Sequence, residues 1–104
     1  MNDEDKINKV LEQNLDKDRY CWFLFGSRAE GTYNKRSDYD IGVIGDQPLE
    51  FRSYLKLRRE LDESVGKKVD LVDFAKVDNQ FKNLALKHIQ IWNQPKNLII
   101  KQNS

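Results

Sequence analysis

LFGSRAEGTYNKRSDYDIGVI, residues 24–44, is the stretch of this chain that decides the fold. It places a Gly-Ser turn, Gly26-Ser27, directly after an apolar run at 20–25. An Asp-x-Asp pair, Asp38 and Asp40, opens a second apolar run at 41–44. Short apolar runs bounded by turn residues are typical of buried strands. We therefore expect two neighbouring strands with polar residues at their adjoining ends.

The Asp-x-Asp pair predicts a metal site. A strand presents residues i and i+2 on one face, so Asp38 and Asp40 should point the same way, with Cα atoms about 6.5–7 Å apart. Two such carboxylates repel each other, and burying them together is costly unless a cation joins them. The pair suits one or two Mg²⁺ ions, and Mg²⁺ at an enzyme site commonly accompanies a nucleotide.

The Gly-Ser turn predicts a phosphate cradle. Gly26 lets the backbone turn sharply and approach a ligand, because it has no Cβ. Ser27 is expected to cap a short helix over 28–31, whose N–H groups and dipole would face phosphate oxygens. Arg28 follows at once, and its guanidinium could either bind phosphate through two hydrogen bonds or pair with an acidic residue. Together the two elements indicate nucleotidyl or phosphoryl transfer.

This spacing resembles a known signature. Gly26-Ser27, ten intervening residues and Asp38-x-Asp40 match the pattern of the nucleotidyltransferase superfamily that includes DNA polymerase beta and kanamycin nucleotidyltransferase. The run 24–44 is similar to the minimal nucleotidyltransferases, in particular the MntA-like antitoxins, whose partners are HEPN-domain proteins. The likeness extends over roughly residues 5–93. One departure is Glu30, where such proteins often carry a basic residue.

The resemblance implies a third carboxylate on a strand beside the Asp-x-Asp strand. The segment 69–74, Val-Asp-Leu-Val-Asp-Phe, offers Asp70 and Asp73, which lie on opposite faces of a strand. By its position in the matched pattern, Asp70 is the preferred candidate. Asp73, near the strand end, is the alternative and is more typical of a turn residue or cap.

The resemblance also implies an activity. Two Mg²⁺ ions held by Asp38, Asp40 and Asp70 would clamp ATP at its α-phosphorus, and Gly26 and Ser27 would bind the β- and γ-phosphates. The product would be AMP on a tyrosine of a HEPN-domain toxin, with this chain as the antitoxin and a hetero-oligomer as the assembly. Only 34 residues follow Asp70, so we expect the acceptor-binding surface to come from that partner.

Two other functions stay open. The chain could be a non-catalytic antitoxin that inhibits its partner by docking, with a vestigial site. It could instead modify a small acceptor such as an aminoglycoside, with a partner supplying the pocket. The basic cluster Arg52, Lys56, Arg58 and Arg59 is either the solvated face of a helix or a docking face for an acidic partner.

Composition excludes several classes. The 104 residues suffice for one domain, and 18 basic against 17 acidic residues give a net charge of +1, which argues against strong nucleic-acid binding. The single cysteine, Cys21, lies in an apolar run and is expected to be a buried core thiol. No segment resembles a signal peptide or reaches the length of a membrane span, so a cytoplasmic protein is expected.

The pattern along the chain predicts an α/β fold, a small mixed sheet with helices mainly on one face, in one nucleotidyltransferase domain over 1–93 and a tail over 94–104. Asp3 is the expected cap of the first helix, and Pro48 the expected first position of the third. A stripe at Phe51, Tyr54, Leu55, Arg58, Leu61 and Val65 is expected to pack on the core. The predicted helices are 3–16, 28–31, 48–64 and 78–87, the last capped by Asp78. The predicted strands are 20–25, 38–45, 68–73 and 88–92, and the last of these could instead continue the fourth helix.

Overall fold

The computed structural model describes residues 1–98. It contains four helices and four strands in alternating order along the described chain. These are α1 (Asp3–Asn14), β1 (Tyr20–Phe25), α2 (Ser27–Glu30), β2 (Tyr39–Gly45), α3 (Phe51–Ser64), β3 (Val69–Asp73), α4 (Asn79–Ala85) and β4 (Gln90–Asn93).

The four strands form one mixed sheet in the order β3-β2-β1-β4. β1 pairs antiparallel with β2 and places Phe25 opposite Asp40. β2 and β3 are parallel, with α3 as the crossover between them, and this pairing places Asp40 opposite Asp70. β4 pairs antiparallel with β1. The predicted small mixed α/β sheet is therefore confirmed.

One face of the sheet packs against the two long helices. Alternate residues of the strands point to this face, and α1 and α3 cover it. Its buried side chains are Ile7, Leu11, Leu15, Trp22, Leu24, Tyr39, Ile41, Val43, Leu49, Leu57, Leu61, Val69 and Leu71. This layer is the main hydrophobic core and confirms that the helices lie mainly on one side.

The opposite face carries an aromatic cluster and the aspartates. Phe23, Phe25 and Phe74 pack edge to face or tilted, with ring centroids 4.9–6.2 Å apart, and Leu86 beyond α4 joins them. Gly42 lies under this cluster, since a Cβ there would be 2.7 Å from the Phe74 ring. By the period of two, Asp40 and Asp70 share this face with the aromatic rings.

Several predicted boundaries need correction. The cap of α1 is Asn2, whose side chain accepts a hydrogen bond from the Asp5 N–H at 2.8 Å, and Asp3 is the first helical residue. α1 ends at Asn14 instead of 16. α3 begins at Phe51 after the N-cap Glu50, three residues later than Pro48. Asp78 caps α4 as predicted, accepting from the Phe81 N–H at 2.8 Å.

The predicted buried stripe of α3 is confirmed for Tyr54, Leu61 and Val65, which pack on the main core, and wrong for Phe51 and Leu55. Phe51 and Leu55 are 67% and 43% exposed, whereas Leu57, absent from the predicted stripe, is 1% exposed. Leu61 is buried as predicted, and Tyr54 donates its hydroxyl hydrogen to the Leu71 carbonyl at 3.0 Å. The sheet lies against the Tyr54, Leu57 and Leu61 side of the helix. Because α3 carries apolar residues along two of its sides, the sequence alone does not show which side faces the sheet.

This difference gives a stability prediction. Leu57→Ala should lower the free energy of unfolding by about 2–4 kcal/mol, because it leaves a cavity where a buried leucine side chain was packed. Leu55→Ala, the same chemical change two residues earlier, should stay within about 0.5 kcal/mol of the wild type. Urea unfolding of both variants measures the difference. Equal losses would contradict this orientation of α3.

The remaining expectations concern the core and the chain end. Cys21 is fully buried as predicted, and burial raises the pKa of its thiol to about 11. Within residues 1–98, none of the helices combines the length and apolar character that crossing a bilayer requires. Leu98 packs against the aromatic cluster, and the rest of the predicted tail, 99–104, lies outside the described residues.

Candidate active site

The Gly-Ser turn joins β1 to a single helical turn. Gly26 has φ +74° and Gly31 has φ +82°, so both ends of α2 use backbone conformations that favour glycine. The Gly26 carbonyl accepts hydrogen bonds from the N–H groups of Ala29 and Glu30 at 3.1 and 3.0 Å. Gly26 is the N-cap residue and Ser27 the first helical residue, so the prediction that Ser27 caps this helix is wrong.

Gly26 and Asp40 approach each other closely across the β1–β2 pair. A Cβ on Gly26 would collide with the Asp40 carboxylate, and the Asp40 Cβ would lie 3.3 Å away. Only a residue without a side chain leaves room for both groups. The tertiary structure therefore joins the predicted phosphate turn to the predicted metal pair.

The three predicted aspartates lie at one end of the parallel strand pair. Asp40 and Asp70 are register partners on β2 and β3, and Asp38 comes just before β2 begins. Burial, together with the negative charges of Asp70 and Asp38, raises the pKa of Asp40 to about 6, and the positive charge of Lys68 acts in the opposite direction. The ionised form of Asp40 is thus disfavoured until a positive charge is added.

The carboxylates fit a divalent cation in their chemistry but are not gathered around one. Among residues 1–98 no three His, Cys, Asp or Glu side chains lie in an arrangement that could hold a metal ion. Asp70 Oδ1 lies 3.5 Å from Lys68 Nζ, and like charges disfavour a closer grouping of the carboxylates without a cation. The three carboxylates offer only oxygen ligands, which Mg²⁺ prefers. A cation would also offset the disfavoured charge of the half-buried Asp40.

Asp73, the alternative third carboxylate, has a different environment. It is 6% exposed, Oδ2 accepts from the Leu49 N–H at 2.8 Å, and Oδ1 accepts from the Ala75 N–H at 3.0 Å. These bonds tie the loop before α3 to the turn after β3. Asp70 points to the face of Asp40 and is 40% exposed. This geometry favours Asp70 as the ligand and gives Asp73 a structural role.

The two positions therefore predict opposite phenotypes. Asp73→Ala should cost about 2–4 kcal/mol of stability, since the buried Leu49 N–H and the partly buried Ala75 N–H both lose their acceptor. Asp70→Ala should leave stability within about 0.5 kcal/mol while removing nucleotidyl transfer. Thermal unfolding together with a transfer assay measures both effects. A stable, inactive Asp73 variant beside an active Asp70 variant would reverse the assignment.

Arg28 makes contacts that sequence analysis did not foresee. Its guanidinium carbon lies 4.0 Å from the centroid of the Tyr39 ring and 4.8 Å from that of Tyr33. Its Nε donates to the Ser37 carbonyl at 3.1 Å. No ion pair between Arg28 and an acidic side chain occurs within the described residues. Its predicted phosphate contact stays a prediction. Tyr33 and Tyr39, which lie on either side of Asp38 in the sequence, could have suggested this contact, since a guanidinium stacks on aromatic rings.

A cleft of about 270 Å³ opens beside the Gly-Ser turn. It lies between α2 and α4 and is mostly apolar. Its lining residues are Phe25, Gly26, Glu30, Phe81, Leu84, Ala85 and His88. Glu30, the position of the departure from the resembled pattern, therefore faces this cleft. A second cleft, of about 380 Å³, lies between α3 and the edge strand β3, and Phe51 and Leu71 line it.

A four-stranded mixed sheet that presents a Gly-Ser turn and three aspartates at one edge defines a nucleotidyltransferase-type domain. The family model described as "Polymerase beta, Nucleotidyltransferase" matches residues 5–97. The chain belongs to this family. The resemblance to the MntA-like members is also confirmed: the chain is 35% identical over 82 residues to "Probable protein adenylyltransferase MntA" of Haemophilus influenzae, covering 78% of this chain and 71% of that protein.

Solved structures show the same fold. A crystal structure of a toxin–antitoxin with AMP-PNP superposes with a TM-score of 0.74 at 28% identity, covering 90% of this chain and 75% of that chain. A complex of tri-AMPylated Shewanella oneidensis HEPN toxin with MNT antitoxin gives a TM-score of 0.69 at 26% identity, covering 88% of this chain and 71% of that chain. The first of these structures contains AMP-PNP, and the second contains a HEPN toxin that carries AMP groups.

Proposed function

We propose that this chain transfers AMP from ATP to a tyrosine hydroxyl of a HEPN-domain toxin and thereby acts as its antitoxin. The single observation that carries the proposal is the close approach of Gly26 to Asp40, which places a phosphate turn against a metal-type carboxylate. The likeness to a tri-AMPylated HEPN toxin complex supports the acceptor, and the likeness to an AMP-PNP complex supports ATP.

In this proposal each residue has a defined role. Asp38, Asp40 and Asp70 would hold two Mg²⁺ ions, which would neutralise charge at the α-phosphate and lower the pKa of the acceptor hydroxyl. Gly26 and Ser27 hold the β- and γ-phosphates through the backbone of α2. Asp70 accepts the hydroxyl proton. The acceptor oxygen forms a bond to the α-phosphorus, the bond from that phosphorus to the bridging oxygen breaks, and pyrophosphate leaves.

The cytoplasm is the proposed location and a hetero-oligomer with the toxin the proposed assembly. The one thiol, Cys21, is buried and free, which fits a reducing compartment. The docking-only alternative keeps one observation in its favour, the exposed basic residues of α3, of which Lys56 pairs with Glu60 at 3.9 Å.

The test is AMP transfer to the product of the neighbouring gene, which we expect to be a HEPN-domain protein. The chain is incubated with ATP labelled at the α-phosphate, Mg²⁺ and that protein, and label on the protein is followed with its ribonuclease activity. We expect labelling on tyrosine and loss of ribonuclease activity together. Inhibition without labelling would support docking alone, and label on a small molecule only would support the aminoglycoside-type alternative.

A further inference from the structure

The Arg28 side chain is held by the segment that leads to Asp38. Its planar cation lies between the rings of Tyr33 and Tyr39, at 4.8 and 4.0 Å from their centroids. Its Nε donates to the Ser37 carbonyl at 3.1 Å, and a terminal nitrogen lies 3.5 Å from the Asn34 carbonyl. Two aromatic faces and two carbonyls thus surround the cation, an arrangement in which a guanidinium is held by both charge and shape.

One of the two rings is a fixed platform. Tyr39 is 4% exposed, and its hydroxyl donates to Asp3 Oδ2 at 3.2 Å. Asp3 Oδ2 also lies 2.9 Å from Lys67 Nζ. This ion pair connects α1 to the segment that precedes β3. Tyr33, by contrast, is 51% exposed and belongs to the segment between α2 and β2. Arg28 therefore joins that segment to a buried side chain that α1 and Lys67 keep in place.

The segment so held ends at the metal pair. The Ser37 carbonyl belongs to the peptide bond that joins Ser37 to Asp38, so the Arg28 contact fixes the backbone next to this carboxylate. The turn before it is closed by two further bonds, from Asn34 N–H to Ser37 Oγ and from Ser37 N–H to the Asn34 carbonyl, both 3.1 Å. The Tyr39 N–H, on the other side of Asp38, bonds to the Lys68 carbonyl at 3.0 Å, so loss of the Arg28 contacts would loosen the backbone only on the N-terminal side of Asp38.

We propose that Arg28 is a positioning residue, which holds the segment 32–38 so that the Asp38 carboxylate stands beside Asp40 for a shared divalent cation. Its guanidinium is engaged by Tyr39, Tyr33 and Ser37 and is not itself a phosphate ligand. The inference rests on the proposed function for the presence of a metal–nucleotide site, and it replaces the phosphate role predicted for Arg28.

Arg28→Lys separates the two roles, because lysine keeps the positive charge but loses the planar stack and the forked donors. In the metal-free chain, we expect amide hydrogen exchange over 32–38 to become at least tenfold faster while α1 and β1 stay unchanged. With AMP-PNP present, Mn²⁺ affinity should fall about tenfold. Affinity for AMP-PNP in EDTA should stay within about twofold.

Matched variants complete the test. Arg36→Gln removes a positive charge from the same segment and should leave both exchange and Mn²⁺ affinity unchanged. Tyr33→Ala should reproduce the Arg28→Lys effect in weaker form, and Tyr33→Phe, which keeps the ring, should not. The proposal is overturned if Arg28→Lys matches the wild type in exchange and Mn²⁺ affinity while Arg28→Gln loses AMP-PNP in EDTA. A wild-type chain that binds no Mn²⁺ also overturns it.

The proposed function can fail separately. A wild-type chain that binds Mn²⁺ with AMP-PNP but transfers no AMP to the HEPN-domain protein contradicts that function. The effect of Arg28→Lys on hydrogen exchange and Mn²⁺ affinity would still support the positioning role.

Discussion

Asp40→Asn should lower the rate of AMP transfer by about three orders of magnitude, because the variant removes one of the three carboxylates proposed to hold the metal ions. The same change should make the metal-free chain more stable at neutral pH. Burial and the charges of Asp70 and Asp38 disfavour the ionised Asp40, and an amide of the same shape carries no charge. The transfer assay and urea unfolding measure the two effects on one variant.

The stability gain should depend on pH in a defined direction. The pKa of Asp40 is raised from 3.8 to about 6, so between these values the folded chain binds more protons at Asp40 than the unfolded chain does. The contribution of Asp40 to stability therefore falls as pH rises through this window, and the penalty is complete above pH 6. Asp40→Asn carries no such penalty. The difference in free energy of unfolding between this variant and the wild type should therefore grow from pH 4 to pH 6 and reach the order of 1 kcal/mol, after allowance for solvent screening.

Asp62→Asn is the control, since Asp62 is an exposed carboxylate on α3 away from the site. It should change neither transfer nor the pH dependence of stability. Full activity of Asp40→Asn would contradict the catalytic account. A stability advantage that shrinks as pH rises would contradict the electrostatic one.

Gly26→Ala should reduce AMP transfer by at least about a hundredfold, comparable to loss of a transition-state contact. The added methyl group would collide with the Asp40 carboxylate, so either that carboxylate or the phosphate turn must move. The φ of +74° adds strain for any residue with a side chain. We also expect weaker binding of Mg²⁺ with AMP-PNP by isothermal titration calorimetry.

Gly31→Ala separates collision from strain. Gly31 has a φ of +82°, but a Cβ at this position would meet nothing within 4 Å. This variant should lose about 1–2 kcal/mol of stability from backbone strain and keep its activity within a few-fold. Equal loss of activity in both variants would show that conformation of α2, and not contact with Asp40, controls the site.

Much of the fold follows from local pattern. β1 occupies 20–25 as predicted, and Asp78 caps α4 as predicted, because an apolar run between turn residues and a capping side chain before a helix act over a few residues. The buried side of α3 did not follow. Phe51, Leu55, Leu57 and Leu61 offer apolar residues on two flanks, and only the position of the sheet selects Leu57 over Leu55.

Some residues of the candidate site were also predictable from local sequence, and others were not. Spacing alone marked Gly26, Ser27, Asp38 and Asp40, since a turn and an i, i+2 pair are local features. Between Asp70 and Asp73 the sequence left a choice, and their environments differ only through strand register and the loop before α3. The partners of Arg28 all lie within 33–39, but they surround its guanidinium only because the segment between α2 and β2 folds back over it.

The sequence by itself determined that this chain forms a small α/β domain with a Gly-Ser turn and an Asp-x-Asp pair, because periodicity and turn chemistry act between near neighbours. Only the tertiary structure shows that Asp70 lies opposite Asp40 and how closely Gly26 approaches Asp40. These depend on strand pairing and helix packing between residues far apart in the chain, where a shift of one residue in register moves a side chain to the opposite face.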